Sequence, residues 1–200
     1  NLAFSFKGNA QNISDFILEK YSIKYGLSQI SSICLFQDKL GYIWVGTQQG
    51  IDRFDGYTFK QYSHDIKNDF SRSAGWVIDI QEDEKGNIWT SDTYGNISLL
   101  NKINDRWENI ILPIRDSLFK INNKLPARLG VGASIYFDSK NNSLWIGSNG
   151  TGLIEYKIQS KKFKQYLVHP NDPIKFGKQE IVNKVVGFNE NKLLVSTDIG

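Results

Sequence analysis

ICLFQDKLGYIWVGTQQGIDRFDGYTFKQY, which runs from Ile33 to Tyr62, is the first copy of a pattern that the chain repeats three more times. Four residues of the second copy lie 45 positions after their counterparts in the first. They are Asp83, Gly86, Trp89 and Gly95, which follow Asp38, Gly41, Trp44 and Gly50. Four matches in one register indicate an internal repeat.

The two later copies are less complete. The third copy closes on the FKQY of residues 163–166, which also closes the first copy. The other pattern residues of the third copy are Asp138, Trp145, Ile146, Gly147 and Gly152. The fourth copy begins at Val185, has Leu194 in the tryptophan position and reaches Gly200, which matches Gly50. We therefore expect the chain to be a piece of a longer array.

Each copy predicts a small antiparallel sheet. Apolar residues such as Ile33 and Leu35 recur with period two, which is typical of β-strands. Turn sequences interrupt the strands at residues 38–41, 48–50 and 55–56, where Asp and Gly favour tight hairpins. Four strands in about 45 residues, repeated in series, predict an all-β chain of β-propeller blades. We expect about four repeats within a larger, seven-bladed propeller.

The residues that recur are predicted to be structural. Each tryptophan lies in mid-strand beside a small residue (Gly46, Ser91 or Gly147) that would leave room for the ring against the adjacent sheet. The aspartates recur at a turn position, so we expect them to hold the turn and not to catalyse a reaction. The structural set is Trp44, Trp89, Trp145, Asp38, Asp83, Asp138, Gly50, Gly95 and Gly152.

The repeats divide the chain into six segments. We expect an N-terminal arm, an outer strand that closes the last blade, and four blades with their connectors. The closing strand would pair with the fourth copy or with residues beyond Gly200. In chain order the segments are 1–17 (arm), 18–31 (closing strand), 32–62 (blade 1), 63–110 (connector and blade 2), 111–166 (long connector and blade 3) and 167–200 (connector and partial blade 4).

Composition narrows the possible functions. The formal net charge is +3, and the basic residues are scattered, so direct nucleic-acid binding is not expected. No apolar stretch is long enough to span a membrane, and no signal peptide is evident. Cys34 is the single cysteine, for which a buried, inert thiol is expected. Histidines 64 and 169 have no partners at ligand spacing, so neither a metal site nor a cofactor is predicted.

The first copy resembles the two-component regulator propeller repeat almost throughout. A strand that ends in Gln-Asp is followed by Gly, then by Ile-Trp-Val-Gly-Thr and by Gly-Ile-Asp-Arg-Phe-Asp-Gly-Tyr, in residues 37–57. Residues 26–28 and 169–173 are similar to sequences that flank this repeat in hybrid two-component sensors of Bacteroidetes. The second copy departs from the pattern at Thr90 and Leu100-Asn101, and the fourth lacks its tryptophan.

The resemblance implies a non-catalytic periplasmic sensor segment of a histidine kinase. In such proteins a propeller array precedes an immunoglobulin-like stalk, one membrane span, a kinase, a receiver and a DNA-binding part. Family members respond to oligosaccharides and regulate genes for glycan use. The implied partners are an oligosaccharide, further propeller blades and a homodimer partner, with membrane attachment only through a downstream span.

A ligand-binding face is predicted where the connectors between blades meet the turns between second and third strands. Aromatic rings can stack on sugars, amides and charges can bond hydroxyls, and arginine suits an acidic glycan. The candidate residues are Arg72, Trp76, Arg128, Gln48, Gln49, Asp92, Tyr94, Asn149 and Asp198. Two alternatives stay open: a propeller scaffold for protein interactions, and a propeller lyase or glycosidase, which would need an acid-base pair near the channel.

Overall fold

The computed structural model describes residues 2–4, 19–110, 134–148, 152–166, 181–189 and 192–197. Three four-stranded antiparallel sheets follow one another along these residues, each with its strands in sequence order. The first sheet, blade 1, contains β3 (Ser32–Gln37), β4 (Ile43–Thr47), β5 (Gly50–Phe54) and β6 (Phe59–Ser63). Blade 2 contains β7 (Val77–Glu82), β8 (Ile88–Asp92), β9 (Ile97–Asn101) and β10 (Arg106–Ile110). Blade 3 contains β11 (Ser134–Asp138), β12 (Ser143–Gly147), β13 (Leu153–Lys157) and β14 (Lys162–Tyr166).

The remaining described strands form two ribbons. β15 (Val182–Asn189) pairs with β16 (Lys192–Thr197), and the inner strand β15 contacts blade 3. The helical content of the described residues is one 3-10 turn at Ile23–Tyr25. The predicted all-β class with four-stranded blades is therefore confirmed. The segment boundaries and the total number of blades stay predictions.

A short N-terminal ribbon precedes blade 1. β2 (Glu19–Tyr21) pairs with β1 (Leu2–Phe4), a segment in which the sequence showed no repeat pattern. The Tyr21 ring packs edge-on against Phe54 and Phe59 of blade 1, with centroids 4.8 and 5.9 Å away. Among the described residues, β1 is the strand that pairs with β2. Its role in closing a ring stays a prediction.

The predicted turns form by the expected chemistry. Asp38 Oδ1 accepts hydrogen bonds from the amides of Leu40 and Tyr42, both at 3.0 Å. Gly41 takes a left-handed φ of +88° there. The third copy has no glycine at this turn, and Asn142 adopts the left-handed conformation instead, with φ of +47°.

Trp44 and Trp89 bury their rings against the following blade. Trp44 is fully buried in a cluster with Val77, Ile80 and Ile88 of blade 2. Trp89 is buried in the same way with residues of blade 3, including Ile135 and Ile146. The predicted packing of these two tryptophans on adjacent sheets is therefore confirmed, and Trp145 is only partly buried.

The small residues near the tryptophans have a different role from the expected one. A Cβ at Gly46 would collide with Cys34 Sγ and lie 2.9 Å from Val77 Cγ1. A Cβ at Gly147 would lie 2.5 Å from Val182 Cγ1. The glycines therefore make room for the first strand of the next blade, and not for the indole rings.

Cys34 is packed where blades 1 and 2 meet. Its thiol donates to Val77 O at 3.7 Å. Burial, with a smaller contribution from the charge of Asp79, raises the pKa of the thiol to about 12. The side chain is half-buried, and at neutral pH it is a protonated, weakly reactive thiol, in line with the prediction.

The turn aspartate has a second role that the sequence did not reveal. Asp38 Oδ2 accepts from the indole Nε1 of Trp44 at 2.9 Å and from Lys102 Nζ of blade 2 at 3.0 Å. Lys102 also binds Glu82 at 3.0 Å. Asp83 repeats the bond to its own tryptophan, Trp89, at 3.2 Å. In the third blade the indole Nε1 of Trp145 has no hydrogen bond of good geometry, although Trp145 contributes to the lowered pKa of Asp138.

One sequence match is corrected by the strand pairing. Val45 pairs with Asp52 in blade 1, whereas Thr90 pairs with Ser98 in blade 2. The turn in blade 2 is therefore one residue longer, and Ser98 is the counterpart of Asp52. Gly50 is the first residue of β5, but Gly95 lies within the turn, with φ of +77°.

Replacing the buried tryptophan tests the packing of blade 2 on blade 3. We expect Trp89→Ala to lower the free energy of unfolding by about 3–5 kcal/mol, because it removes a ring buried between two sheets. Trp145→Ala is the control, with a smaller expected loss because this ring is only partly buried. Chemical denaturation measures both, and an unchanged midpoint for Trp89→Ala would contradict the packing.

Replacing Asp38 tests the aspartate bond at the seam between blades 1 and 2. Burial acts to raise the pKa of Asp38, but hydrogen bonds from Trp44 and Lys102 outweigh it and hold the pKa below its ordinary value. Because the pKa of Asp38 is lower in the folded chain than in the unfolded chain, the carboxylate stabilises the fold at pH values above its unfolded pKa. This contribution is lost as the pH falls through the folded pKa. We expect Asp38→Asn to be less stable than the native chain by about 1–3 kcal/mol at pH 7.

The pH dependence of that difference is the measurement. It should stay constant above about pH 5 and shrink below about pH 4, as the native carboxylate becomes protonated. Asp69→Asn, in an exposed connector, serves as the control and should match the native chain at pH 7. A difference between Asp38→Asn and the native chain that grows on acidification would contradict the account.

Candidate functional site

Four of the candidate residues, Arg72, Trp76, Asp92 and Tyr94, lie at one end of blade 2. Successive antiparallel strands alternate in direction, so the turn between second and third strands lies at the same end as the connectors between blades. In blade 2 these two segments are bonded, since Thr93 N donates to Trp76 O at 3.0 Å and Trp76 N donates to Thr93 Oγ1 at 3.3 Å. The structure thus brings Trp76, Asp92 and Tyr94 together, and Arg72 lies in the same connector.

Blade 1 presents the matching turn with two amides. Gln48 Oε1 accepts from Gln29 Nε2 at 3.5 Å, and Gln49 follows in the same turn. Three other candidates, Arg128, Asn149 and Asp198, lie outside the described residues. Contact of any of the nine candidates with a ligand stays a prediction.

Asp92 supports the turn from inside. It is 1% exposed, and its carboxylate accepts from the amides of Tyr94 and Asn96 at 2.8 and 3.0 Å. It also accepts from Ser73 Oγ at 2.8 Å. Because its oxygens are engaged in these bonds, Asp92 positions the turn and the connector and does not face solvent.

In each connector a serine donates a hydrogen bond to a carboxylate of the blade that follows. The acceptor is Asp52 in blade 1 and Asp92 in blade 2, which are not equivalent positions of the repeat. In blade 1, Ser28 donates through both N and Oγ to Asp52 Oδ2, at 2.9 and 2.7 Å, with Thr47 Oγ1 beside it. In blade 2 the counterpart of Asp52 is Ser98, and the counterpart of Thr47 is Asp92. One carboxylate is thus kept at each anchor.

The same correspondence shows that Arg72 occupies a core position. The Ser28 amide donates to Asp52, and the Ser73 amide donates to Ser98, the counterpart of Asp52, at 3.3 Å. Ser73 is therefore the counterpart of Ser28, and Arg72 stands at the position of Leu27. Leu27 is 1% exposed and packs on Val45. The repeat has therefore exchanged a buried leucine for an arginine.

The Arg72 side chain is buried without an adequate partner. It is 1% exposed, and its Nε and Nη2 atoms are buried with no hydrogen-bond partner among the described residues. Burial lowers the pKa of the guanidinium to about 10, opposed by the negative charge of Asp92. Unpaired buried donors are costly, so the guanidinium lowers the stability of the fold at this position.

Two aromatic rings are exposed beside this connector. Trp76 is 48% exposed and Tyr94 is 67% exposed. Gly75 between them has a left-handed φ of +127°, and a Cβ there would come within 2.9 Å of the Asp92 carboxylate and of the Tyr94 ring. Close approach of the connector to the turn therefore requires glycine at this position. We name the set Arg72, Trp76 and Tyr94 the blade 2 rim.

Sequence reasoning missed the serines that hold this rim, Ser73 and Ser98. Serine carries little signal by itself, and only comparison of the two copies, with the extra turn residue taken into account, could have found them. Among the described residues, no group of three His, Cys, Asp or Glu side chains could hold a metal ion. In the same part of the chain, no helix is long and apolar enough to cross a membrane.

Comparison with known proteins gives both a sequence and a fold relationship. The family model described as Two component regulator propeller matches residues 26–49. Histidine kinase P4 of Formosa agariphila is 46% identical over 72 residues, which make up 36% of this chain and 5% of that protein. The match is therefore to a small part of a much longer protein.

Solved structures share the fold at low sequence identity. The extracellular domain of a hybrid two component system from B. thetaiotaomicron superposes with a TM-score of 0.68 at 19% identity, over 88% of this chain and 23% of that domain. YCF48, solved with a D1 peptide bound, gives a TM-score of 0.56 at 12% identity, over 86% of this chain and 50% of that chain. Residues 26–49 thus match the two component regulator propeller repeat, and the blades share their fold with extracellular domains of hybrid two component systems.

Proposed function

We propose that this chain is the ligand-sensing propeller segment of a hybrid two-component sensor histidine kinase and that its ligand is an oligosaccharide. Binding would regulate genes for using the parent glycan. The kinase assignment is supported by the repeat and by the identity with a Formosa histidine kinase. The segment would lie in the periplasm, as part of an inner-membrane protein anchored by a downstream span, because its structural relatives include extracellular domains.

The blade 2 rim is the observation that carries the oligosaccharide proposal. A buried guanidinium without a hydrogen-bond partner for two of its nitrogens lies in the connector that also presents an exposed indole. Aromatic faces stack on the apolar faces of sugar rings, and a guanidinium pairs in a bidentate manner with a carboxylate. This combination favours a glycan that carries an acidic group.

Signalling requires more than binding. A ligand shifts a receptor between two arrangements only by binding one arrangement more tightly than the other. In this proposal further blades and a homodimer partner complete the receptor, and the blade 2 rim supplies part of the contact with the ligand.

A protein-interaction scaffold is the second candidate. Three apolar side chains are exposed on turns at the end opposite the rim: Leu40 at 73%, Tyr57 at 92% and Ile103 at 93%. Exposed apolar side chains clustered at one end are typical of protein contacts. Under this alternative, the chain would bind a protein through these turns and no small ligand.

Binding measurements distinguish the two candidates. We expect titration calorimetry and thermal shift to detect binding to an acidic oligosaccharide, such as a uronate trimer, because a specific ligand raises the melting temperature. Trp76→Ala should weaken that binding by about tenfold or more through loss of a stacking contact. If neither acidic nor neutral oligosaccharides bind, the sensing proposal is wrong and the scaffold is favoured.

Replacing Arg72 with leucine, the residue at the equivalent position 27, tests whether burial of the unpaired guanidinium costs stability. We expect Arg72→Leu to raise the free energy of unfolding by about 1–3 kcal/mol, because it removes unpaired buried donors at a position where the repeat has leucine. The same variant should lose binding to the acidic oligosaccharide. Chemical denaturation and calorimetry provide the two readouts.

The reciprocal change is the matched control. Leu27→Arg places the charge in blade 1 and should lower stability, because the apolar contact with Val45 is lost and a charged group is taken out of water. A loss of stability in Arg72→Leu would show that the arginine is a structural group with native partners.

A further inference from the structure

A groove lies along the outer part of blade 2. Its volume is about 540 Å³, within the range of small-ligand sites. Strands β9 and β10, the hairpin between them and the preceding connector form its walls. The connector is fixed in place by a bond from Trp107 N to Phe70 O at 3.0 Å. Its lining includes Phe70, Asn101, Asn104, Arg106, Trp107 and Glu108, which we name the blade 2 groove.

Blade 2 has room at a place that is filled in blade 1. Leu99 and Asn87 line the groove, and strand pairing makes Arg53 and Tyr42 their counterparts. In blade 1 the Arg53 guanidinium lies over the Tyr42 ring at 4.6 Å, so two large side chains fill this space. The exchange to Leu and Asn opens the surface of blade 2.

The hairpin between β9 and β10 supplies additional polar groups. In blade 2, Leu100 pairs with Trp107 across this hairpin. In blade 1 the counterparts Phe54 and Phe59 pair across a hairpin that is two residues shorter. In the longer hairpin Asn101 Oδ1 accepts from Ile103 N at 3.0 Å, and Asn104 Oδ1 accepts from Arg106 N at 3.2 Å. These bonds orient both amides through their oxygens, which makes the Nδ2 groups available as donors to a ligand.

The lining combines a flat surface with balanced charge. Phe70 is 52% exposed, and the Arg106 guanidinium stacks on its ring at 4.4 Å. The two acidic residues, Asp69 and Glu108, are offset by Arg106 and by Lys161 of blade 3, which binds Glu108 at 2.9 Å. A surface with no net charge, several amide donors and one stacking platform suits an uncharged polyhydroxyl ligand.

Trp107 lines the groove and also packs in the core against Tyr62. Its side chain is 5% exposed, and its Nε1 is buried with no hydrogen-bond partner, whereas the indoles of Trp44 and Trp89 both bind carboxylates. An acceptor beside Nε1 would remove the cost of a buried unpaired donor.

We propose that the blade 2 groove binds a short, uncharged oligosaccharide, with the Phe70 ring and the Arg106 guanidinium stacked on it as the flat surface, and with Asn101 and Asn104 as donors to its hydroxyls. This site goes beyond the proposed sensing function, because it is separate from the blade 2 rim and takes neutral instead of acidic sugar. It would let the chain hold a second part of a glycan, or a second glycan, on the same blade.

Indole NMR tests the site directly. The five tryptophans of the ¹⁵N-labelled chain each give one indole N–H resonance, and Trp107→Phe identifies that of residue 107. We expect at least one of cellotetraose, xylotetraose, mannotetraose and maltotetraose, added to about 10 mM, to shift this resonance. Phe70→Ala should weaken that binding by about tenfold or more, through loss of stacking.

The controls separate the groove from the rim. Tyr57→Ala removes an aromatic ring that is 92% exposed on a turn of blade 1, and it should leave the titration unchanged. Arg72→Leu and Trp76→Ala should also leave it unchanged. If no tetrasaccharide shifts the Trp107 resonance, or if the shift survives Phe70→Ala, the proposal is overturned. The proposal is also overturned if unstructured peptides shift the Trp107 resonance and none of the sugars does. Binding of acidic sugars at the blade 2 rim is a separate measurement, and none of these outcomes changes its expected result.

Discussion

The hydrogen bond between the turn aspartate and the indole of the following strand is the interaction on which the packing of blades 1 and 2 depends. It fixes the Trp44 ring so that the ring lies against Val77 and Ile80 of the next blade. Lys102 of blade 2 forms an ion pair with the same Asp38 carboxylate. Glu82 accepts from the amide of Lys39 at 2.9 Å and closes the seam. A blade of this kind cannot bury its tryptophan alone, so its stability is shared with its neighbour.

Local chemistry made the blades predictable from sequence. The Asp-x-x-Gly turn, with Asp38 as its acceptor, forms within a few residues, and period-two strands need no distant information. The contact of Lys102 with Asp38 was not predictable, because it joins residues 64 positions apart in sequence. Ser98 was missed for a different reason: one extra turn residue shifts the register, so the exchange with Asp52 is visible only once the strands are paired.

The candidate sites arise where blade 2 departs from the repeat. Arg72 stands where the pattern has a buried leucine, and Leu99 and Asn87 stand where blade 1 has a stacked Arg53 and Tyr42. The first departure buries an unpaired charge, and the second opens a groove. Sequence reasoning named Arg72 and Trp76 because their residue types suit glycans, but burial of the guanidinium and the groove itself depend on packing between segments. Departures from a repeat that cost stability or packing are expected at functional positions.

A double-mutant cycle across the seam tests the central claim that one carboxylate joins blades 1 and 2. The free energies of unfolding of Asp38→Asn, Lys102→Met and the double variant would be compared with that of the native chain. The account predicts that the two effects are not additive, with a coupling energy of about 0.5–3 kcal/mol that favours the native pair. Additivity to within about 0.3 kcal/mol would contradict it, because residues that do not interact in the folded chain have independent effects on stability.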